Sequence, residues 1–464
     1  MNISPILRLC WCGRIAARPA QPEIVPMSLE SRVLKALLPW RDAPAWHVAL
    51  SGGLDSTVLL HLLAGLAQRE ALPPLSAIHI HHGLQALADS WPTACRRLCD
   101  ALGVPLQVDY VQVQPGASIE RAARQARYAA FCTLLAPGEV LLAAQHRDDQ
   151  AETLLFRLLR GAGVQGLAAM PASRPLGAGH LLRPLLSCSR AELQAYADEH
   201  RLRWVEDPSN ADSRFSRNYL RHQVLPLLAR RWPQATASLA RAAEHLGEAG
   251  QLLDELAQQD LQAAQASCEH TWLDLPSLSL VPLRALSDAR QRNALRYWLR
   301  RLTPMPDSEH WAGWQALRDA AGDATPIWRL AAGELRRADQ RLWWLSGDWL
   351  RVPPAPEVRL APGRWLPLAG NGCVRIEGRL PAGDWRLAYR QGGEVMSLAG
   401  RGHRDLKRLL NERHVPAFVR PRLPLLLCNG ELRAVANLAG LDGVGDGQWQ
   451  LSWRPPMNDQ GLSC

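Results

Sequence analysis

Short apolar runs alternate with amphipathic stretches along the first third of the chain. Short, mostly apolar runs are typical of buried strands, and apolar residues recurring roughly every three to four positions are typical of helices. This alternation predicts an α/β domain with a Rossmann-like parallel sheet, in which ligands bind beyond the carboxyl ends of the strands. The predicted strands are 46–50, 75–80, 106–113 and 139–144, and the predicted helices are 56–68, 88–102, 119–135 and 148–160.

The pattern beyond these elements is mainly helical before strands return. Ser189 and Glu192 have the spacing of a capping box, in which each side chain satisfies a backbone N–H group at the start of a helix. Residues 270–348 are predicted to be mostly helical, with tryptophans packed in the core. Strand-like segments follow at 423–428 and 433–438.

The same changes of pattern predict the domain organisation. Residues 1–26 carry three arginines and no acidic residue before Glu23, as a transit peptide would, whereas Met27 opens a better-patterned segment. We therefore expect 1–26 to be a non-native or disordered extension upstream of the true start. The divisions expected after it are an N-terminal α/β domain at 27–230, a helical middle domain at 231–350, a proline-rich linker at 351–379 and a small α+β C-terminal domain at 380–464.

The composition predicts a globular protein and leaves its partner open. Hydrophobic residues make up 47% of the 464 residues and charged residues 21%, which excludes a wholly disordered chain. The formal net charge is +9, and all but two of the 53 basic residues are arginine, whose planar guanidinium group pairs well with phosphate. Codon bias explains the excess of arginine more simply, so the net charge alone does not identify a nucleic-acid partner.

The cysteines and the hydropathy indicate the cellular compartment. Ten cysteines are scattered without a Cys-x-x-Cys pair, which predicts neither a zinc site nor a disulfide framework and is typical of a reducing compartment. No apolar stretch approaches the roughly 18 residues of a membrane span. We therefore expect a cytoplasmic protein that does not bind membranes.

The most informative segment is the loop Ser51-Gly52-Gly53-Leu54-Asp55-Ser56, which joins the first predicted strand to the first predicted helix. Adjacent glycines let backbone N–H groups approach a phosphate closely, and the hydroxyl groups and the helix N-terminus add donors and positive potential. The loop lacks the Gly-Lys-Ser/Thr sequence of a P-loop. It therefore predicts a pyrophosphate-binding site rather than a site of γ-phosphoryl transfer.

Further motifs lie at the later strand-to-helix turns and beyond them. They are His79-Ile80-His81-His82-Gly83-Leu84, Arg124-Gln125-Ala126-Arg127-Tyr128, Gln145-His146-Arg147-Asp148-Asp149-Gln150-Ala151-Glu152-Thr153, Arg183-Pro184-Leu185-Leu186, Asp207-Pro208-Ser209-Asn210 and Arg217-Asn218-Tyr219-Leu220-Arg221. The glycine loop resembles that of the PP-loop ATP pyrophosphatases. With the other motifs the chain resembles the tRNA(Ile)-lysidine synthase family, from about residue 34 to residue 447.

The resemblance implies a two-step ligation on tRNA(Ile) with a CAU anticodon. ATP adenylates the carbonyl oxygen at carbon 2 of the wobble cytidine and releases pyrophosphate, and the ε-amine of free L-lysine then attacks that carbon and expels AMP. Adenylation turns a poor leaving group into a good one, while cationic side chains and Mg²⁺ neutralise charge on the phosphates. The sequence leaves the oligomeric state open, a homodimer included.

The resemblance also implies roles at the phosphate loop and the acidic helix. Residues 51–56 and Arg124 would bind ATP, and Asp55 would bind Mg²⁺ or the reactive amine, although an aspartate there also caps a helix well. Asp149 and Glu152 are three positions apart and share a helical face, where they would hold the lysine amine. The proton of this amine would pass to Asp149, Glu152 or His146.

The arginine motifs are expected to contact the nucleotide or the RNA. Arg124 and Arg127 share a helical face, and the resemblance places them by the nucleotide or the tRNA. Arg217, Asn218 and Arg221 would brace the polar loop at 206–216 and contact RNA. The strand at His79 would lie beside the adenine edge.

The C-terminal domain carries the densest basic cluster. Between Arg386 and Arg422 the chain has eight arginines and one lysine against three acidic residues. Arg404, Lys407 and Arg408 form a candidate phosphate-contact surface, and such contacts position RNA without reading its sequence. The resemblance implies that this domain engages the tRNA acceptor stem.

Two other functions fit parts of the pattern. A tRNA thiolase of the same superfamily would need a Cys-x-x-Cys pair or suitably placed reactive cysteines, and Cys95 and Cys99 lie outside the relevant turns. A non-catalytic nucleotide-binding or RNA-binding protein would not need Asp55, Asp149 and Glu152 beside a complete phosphate loop. Both alternatives are therefore disfavoured.

Overall fold

The computed structural model describes residues 27–83, 86–113, 119–265, 269–305, 311–321, 324–357, 360–398, 402–443 and 449–458. The extension predicted at 1–26 lies outside the described residues. The chain divides between Glu244 and His245 into two compact units. The second unit takes in most of the predicted middle domain and the whole predicted C-terminal domain.

The first unit is built on a six-stranded sheet, whose order is β3-β2-β1-β4-β6-β5. All of its neighbours pair in parallel except β5, which runs antiparallel to β6. The predicted parallel α/β sheet is therefore confirmed, and its four predicted strands are β1 to β4. The strands are β1 (Trp46–Ala49), β2 (Leu75–His81), β3 (Leu106–Tyr110), β4 (Val140–Leu142), β5 (Ser173–Leu176) and β6 (Gly179–Leu182).

Helices connect the strands of this sheet. The predicted capping box is confirmed, because Ser189 Oγ accepts from the backbone N–H of Glu192 at 3.2 Å and Glu192 Oε2 accepts from that of Ser189 at 2.7 Å. A π-helical turn, Leu220–Val224, joins α8 to α9. The helices are α1 (Leu29–Leu37), α2 (Leu54–Ala67), α3 (Trp91–Leu102), α4 (Ile119–Leu134), α5 (Arg147–Leu158), α6 (Val164–Leu167), α7 (Arg190–Glu199), α8 (Ser216–Tyr219) and α9 (Leu225–Arg231).

The strand order positions the site. The chain continues from β1 towards β2 on one side of the sheet and later returns to β4 on the other side, which opens a crevice at the carboxyl ends of β1 and β4. Residues 50–53 follow β1, and residues 143–146 follow β4. The phosphate loop and the acidic motif therefore meet at the same edge of the sheet.

The core of the first unit covers both faces of the sheet, which explains why the central strand β4 is apolar throughout. Val48, Val140 and Leu142 are buried with Leu59 in one cluster, whereas Leu141 belongs to a second cluster on the other face. Successive side chains of a strand point to opposite faces, so a strand covered on both sides has few positions for polar residues.

The second unit begins with the long helix α10 (Ala235–Ala264), which crosses the division between the units, and continues with a four-stranded antiparallel sheet. This region contains helices, as predicted. Residues 270–348 are not mostly helical, however, because strands lie between the helices. The elements are β7 (Ser277–Ser279), α11 (Leu280–Arg284), α12 (Asp288–Leu299), α13 (Ala312–Asp319), β8 (Ile327–Leu330), β9 (Gly333–Ala338) and β10 (Arg341–Leu345).

A buried arginine interrupts the apolar alternation of strand β9 in this sheet. Arg337 lies on the inward face of β9 and is buried, with Nη1 donating to Ala320 O at 2.7 Å and Nε donating to Asp339 O at 3.2 Å. Backbone carbonyl groups satisfy the guanidinium, so a charged residue stands where the strand pattern calls for an apolar one.

The described residues beyond β10 form two small sheets, in the orders β11-β12-β18 and β13-β16-β17-β14-β15, and one α-helix. Residues 366–378 were expected in a linker but pair as strands, because the prolines concentrate before residue 363 and Val374 and Ile376 are buried. The strands expected at 423–428 and 433–438 correspond to β16 and β17. The elements are β11 (Leu366–Pro367), β12 (Cys373–Gly378), β13 (Trp385–Ala388), β14 (Val395–Leu398), β15 (Gly402–Asp405), α14 (Leu406–Glu412), β16 (Leu425–Cys428), β17 (Glu431–Val435) and β18 (Trp449–Arg454).

Among the described residues, no helix combines the length and the apolar character that crossing a membrane requires.

Candidate active site

The phosphate loop is fixed by its own serines and by a segment that is distant in the sequence. Ser56 Oγ accepts from the backbone N–H of Ser51 at 3.2 Å, and the backbone N–H of Val205 donates to Gly52 O at 2.8 Å. Gly52 has a φ of +87°, and a Cβ atom there would lie 3.2 Å from Cys95 Sγ, so glycine is required. The loop leads into α2, whose first backbone N–H groups have no partner within the helix and can bind an anion.

A cavity of about 300 Å³ lies beside the loop, and its lining includes His79, His82, Trp91 and Asn210. His79 Nδ1 lies 2.8 Å from Leu50 O, while its Nε2 is buried and has no hydrogen-bond partner in the described chain. Burial lowers the pKa of both His79 and His82, so their rings are neutral near pH 7. Neutral imidazoles can exchange hydrogen bonds with a nucleobase edge.

The histidines of this motif belong to no group of metal-ligating side chains that the structure describes, because across the described ranges no three His, Cys, Asp or Glu side chains gather as a set of metal ligands. His81 instead lies 3.2 Å from Asp89 and packs against the Tyr110 ring. The expectation that this strand lies beside a nucleotide base stays a prediction.

A second cavity of about 180 Å³ continues from the first, and both are lined by Ser51 and Arg127. The second cavity is also lined by Asp55, Arg124 and Asp149. The phosphate loop, the two arginines of α4 and the first acidic residue of α5 therefore border one continuous crevice.

The two arginines of α4 carry charge that no carboxylate neutralises among the described residues. Arg124 lies over the Tyr128 ring, with its guanidinium carbon 4.9 Å from the ring centre, and Arg174 lies 5.0 Å from the same ring. Burial removes part of the water around the Arg127 guanidinium, and the like charge of Arg124 lies nearby. Both effects lower the pKa of Arg127, although the Arg127 side chain opens into the cleft. Paired cations without counter-ions in a cleft favour an anionic ligand.

A buried histidine joins the carboxylates of the crevice. His146 Nε2 lies 3.6 Å from Asp55 Oδ2 and 3.5 Å from Asp149 Oδ2, and its Nδ1 lies 3.7 Å from Asp148 Oδ2. Burial alone would lower the pKa of His146, but these three carboxylates raise it. Burial likewise works against ionisation of Asp55, yet His146, Arg190 and further cations lower its pKa. The cluster therefore favours an imidazolium between carboxylates.

The acidic pair of α5 is held by two arginines. Arg221 Nε donates to Glu152 Oε1 at 2.6 Å, its Nη2 donates to Glu152 Oε2 at 2.9 Å, and Arg217 Nε donates to Glu152 Oε2 at 3.2 Å. Arg221 Nη2 also donates to Asp149 Oδ1 at 3.0 Å. The side chain of Glu152 is only 1% exposed, whereas Asp149 borders the crevice. The two residues share a helical face as predicted, but they differ in access.

Asn218 has the bracing role that was expected of Arg217, Asn218 and Arg221. Asn218 Nδ2 donates to Ser209 O at 2.9 Å and to Asp212 O at 3.0 Å, and so fixes the polar loop. Arg217 and Arg221 do not brace this loop but contact the acidic pair. Their expected contact with RNA stays a prediction.

The residues of the crevice fit a magnesium ion. Asp55 Oδ1 is buried and has no hydrogen-bond partner within the described ranges. Magnesium in nucleotide sites is held by one or two carboxylates together with phosphate oxygens and water. Asp55, at the first turn of the helix that follows the phosphate loop, offers such an oxygen.

Two arginines beside the crevice were given no role by the sequence, although Arg183 belongs to one of its motifs. Arg190 begins α7, and its Nη1 lies 4.0 Å from Asp55 Oδ2. Arg183 is buried, and its Nε donates to Gln145 Oε1 at 3.0 Å, which orients a residue of the second cavity. The capping box at Ser189 gave a signal for Arg190, because it places the next residue at a helix start near the carboxyl edge of the sheet.

The C-terminal basic cluster is only partly available to a ligand. Arg404, Lys407 and Arg408 are exposed at β15 and the start of α14, as a contact surface requires, and Arg408 pairs with Glu412 at 3.1 Å. Arg422 is buried instead, and it donates to Gly370 O and to the carbonyl groups of residues 348 and 351. Arg422 therefore does not contribute to the expected surface. Arg401 lies outside the described residues.

Comparison with known proteins places these features in a family. Three family models match the chain in order, a PP-loop domain at 26–228, a TilS substrate binding domain at 278–343 and a TilS substrate C-terminal domain at 385–453. The chain is 64% identical to the tRNA(Ile)-lysidine synthase of Pseudomonas aeruginosa, over 94% of this chain and 99% of that protein. It is 41% identical to the tRNA(Ile)-lysidine synthase of Coxiella burnetii, over 92% of this chain and 96% of that protein.

Proposed function

Because the chain belongs to the tRNA(Ile)-lysidine synthase family, we propose that it ligates L-lysine to carbon 2 of the wobble cytidine in tRNA(Ile) with a CAU anticodon, using ATP. The modified anticodon reads the codon AUA. The observation that carries this proposal is the meeting, in one crevice, of the phosphate loop, the cluster of Asp55, His146 and Asp149, and two arginines that pair with no carboxylate in the described part of the chain. The chain is a ligase that acts on tRNA in the cytoplasm.

ATP lies along the two connected cavities. The nucleoside occupies the larger one beside His79, and the phosphates lie on the loop and the N-terminus of α2. Arg124 and Arg127 stabilise the negative charge that develops at the α-phosphate when the cytidine carbonyl oxygen attacks it and pyrophosphate leaves. Asp55 would hold Mg²⁺, which would supply further neutralisation of the phosphate charge.

Lysine approaches from the side of α5. Asp149 is the member of the acidic pair that borders the crevice, so it contacts the lysine amine, while Glu152 fixes the two arginines beside it. The ε-amine has an ordinary pKa of about 10.4 and must lose a proton as it attacks carbon 2. AMP leaves with the former carbonyl oxygen in the same step.

The surroundings of His146 narrow the choice of proton acceptor. Neighbouring carboxylates raise the pKa of His146 against the effect of its burial, which favours the protonated ring and so disfavours His146 as the acceptor of a further proton. Glu152 is buried and accepts three hydrogen bonds from arginines. Asp149 therefore accepts the proton of the amine, and His146 positions Asp149 and Asp55 by lying between them.

Docking of the tRNA uses a surface remote in sequence from the phosphate loop. Arg404, Lys407 and Arg408 contact the phosphates of the acceptor stem, which adds salt-dependent affinity. Arg217 and Arg221, at the crevice, lie where the anticodon enters.

The cysteines disfavour a thiolase. Burial raises the pKa of Cys95 to about 12 and that of Cys99 to about 11. A thiolate is the form that attacks or carries sulfur, and these thiols remain protonated near neutral pH. Cys95 lies against the phosphate loop near Gly52, so its role is packing.

The two steps can be separated by omitting lysine. Purified protein, ATP, Mg²⁺ and unmodified tRNA(Ile) with a CAU anticodon should release pyrophosphate once per active site, and AMP should appear only after lysine is added. The same tRNA with a wobble uridine serves as the control and should release neither. Release of AMP without tRNA, or at equal rates with and without lysine, would contradict the proposed function.

A further inference from the structure

The second unit contains a pocket of its own between α12 and α13, with a volume of about 380 Å³. Its lining includes Arg292 and Arg296 from α12 and Trp311 and Trp314 from the start of α13. A volume of this size lies within the range of ligand sites in proteins. No function described above uses these residues.

Two buried donors of the pocket lack acceptors. Trp311 is 7% exposed and Trp314 is 2% exposed, and the indole N–H group of each has no hydrogen-bond partner among the residues that the structure describes. Buried polar groups are almost always hydrogen-bonded, and a ligand in the pocket that brings acceptor atoms would supply partners for these two indole donors.

The cations of the pocket are also available. Arg292 and Arg296 are four residues apart and share a face of α12, and neither makes an ion pair within the described ranges. Arg296 stacks over the Trp311 ring at 5.1 Å. In contrast, Arg318 is already paired with Asp288 at 2.7 Å, which occupies the one carboxylate among the lining residues that the structure describes. The polar groups that remain are almost all donors, with the Gln315 amide as the exception.

We infer that this pocket binds one phosphate of the tRNA backbone. A phosphodiester presents oxygen acceptors and one negative charge, which matches two guanidinium groups and two indole N–H groups. The volume also admits the flanking ribose. That the anion belongs to tRNA rests on the proposed function, whereas the preference for an acceptor-rich anion rests on the pocket alone.

The test removes both cations of the pocket and compares a matched control. Arg292→Gln/Arg296→Gln takes two charges from the lining, and Arg301→Gln/Arg329→Gln takes two charges from exposed positions of the same region outside it. Both full-length variants are first checked for unchanged melting temperature. Binding of unmodified tRNA(Ile) is then measured across a series of salt concentrations.

The pocket variant should bind tRNA about tenfold more weakly at low salt, and the slope of log affinity against log salt should fall by about one. The control variant should keep the wild-type slope, and both should bind ATP as the wild type does. A pocket variant with the affinity and slope of the control would overturn the inference.

Indole signals give a second readout that does not depend on the arginines. In ¹⁵N spectra, the indole N–H signals of Trp311 and Trp314, assigned through Trp→Phe variants, should shift when tRNA is added. Inorganic phosphate serves as the competing source of the anion. If it shifts these signals while tRNA does not, the pocket binds a free anion and the assignment to RNA is wrong. These binding measurements require no ligation, so they remain interpretable if lysine transfer fails.

Discussion

Arg221 forms a two-point ion pair with Glu152, with Nε donating to Oε1 at 2.6 Å and Nη2 donating to Oε2 at 2.9 Å. The Glu152 side chain is 1% exposed, so its charge depends on these partners. Breaking a buried ion pair by removing one partner is strongly destabilising, because the other charge stays buried. The pair therefore links the stability of the first unit to the arrangement of the acidic helix.

Arg221→Met should destabilise the first unit by about 2 kcal/mol, less than for a fully isolated charge because Arg217 still contacts Glu152. The double variant Arg221→Met/Glu152→Gln should recover part of this loss, since it removes the unpaired charge. Chemical unfolding of the full-length protein provides the measurement. Arg214→Met, which breaks an exposed pair with Asp212, is the control and should change little. Equal destabilisation by the single and double variants would show that the charge is not the cause.

The pH dependence of stability should follow His146 and Asp55. The raised pKa of His146 adds stability that is complete below its ordinary value of 6.5 and is lost as the pH rises through the raised value. The lowered pKa of Asp55 adds stability that is complete above 3.8 and is lost as the pH falls through the lowered value.

His146→Gln should therefore lower the melting temperature most at about pH 5 to 6, and the difference from the wild type should shrink as the medium becomes alkaline. His245→Gln, at an exposed histidine on α10, is the control. A difference that stays constant from acid to alkali would mean that His146 is not charged in the folded protein.

Asp55→Asn should abolish most of the ATP-dependent release of pyrophosphate, with a loss of at least about 100-fold, because the buried oxygen that can bind Mg²⁺ is replaced by an amide. Affinity for tRNA should change little, since the tRNA contacts lie elsewhere. Asp42→Asn, at a residue outside both cavities, is the control. Retention of near-normal pyrophosphate release by Asp55→Asn would remove Asp55 from the active site.

Two classes of arginine in the C-terminal region should respond differently. Arg404→Gln/Lys407→Gln/Arg408→Gln should reduce the salt slope of tRNA binding by about 2 without loss of stability. Arg422→Gln should instead destabilise the protein by about 2 kcal/mol, because buried carbonyl groups lose their donors. Salt titrations and thermal melts separate the two effects. A triple variant with the wild-type slope would exclude this surface from the RNA interface.

Local periodicity predicted much of the first unit. The apolar runs located β1 to β4, and the three-residue spacing of Asp149 and Glu152 correctly placed both on one helical face. These features depend on neighbours along the chain, so a single sequence contains their signal.

Long-range pairing was not predictable in the same way. Arg221 meets Glu152 across 69 positions, and no periodicity connects the two. Strand β9 lacks a clear apolar alternation because Arg337 occupies a buried position, where backbone carbonyl groups satisfy it. Both cases have one cause, which is that a polar side chain can take a buried place when distant groups supply its partners.

The most direct test of the account is mass analysis of the anticodon fragment after the complete reaction. The protein would be incubated with ATP, Mg²⁺, isotope-labelled lysine and unmodified tRNA(Ile) with a CAU anticodon, and the tRNA would then be digested. The account predicts one labelled lysine on the wobble cytidine for each AMP released, and none with Asp55→Asn. A wobble cytidine that remains unmodified while AMP is released, or that gains sulfur instead of lysine, would contradict it.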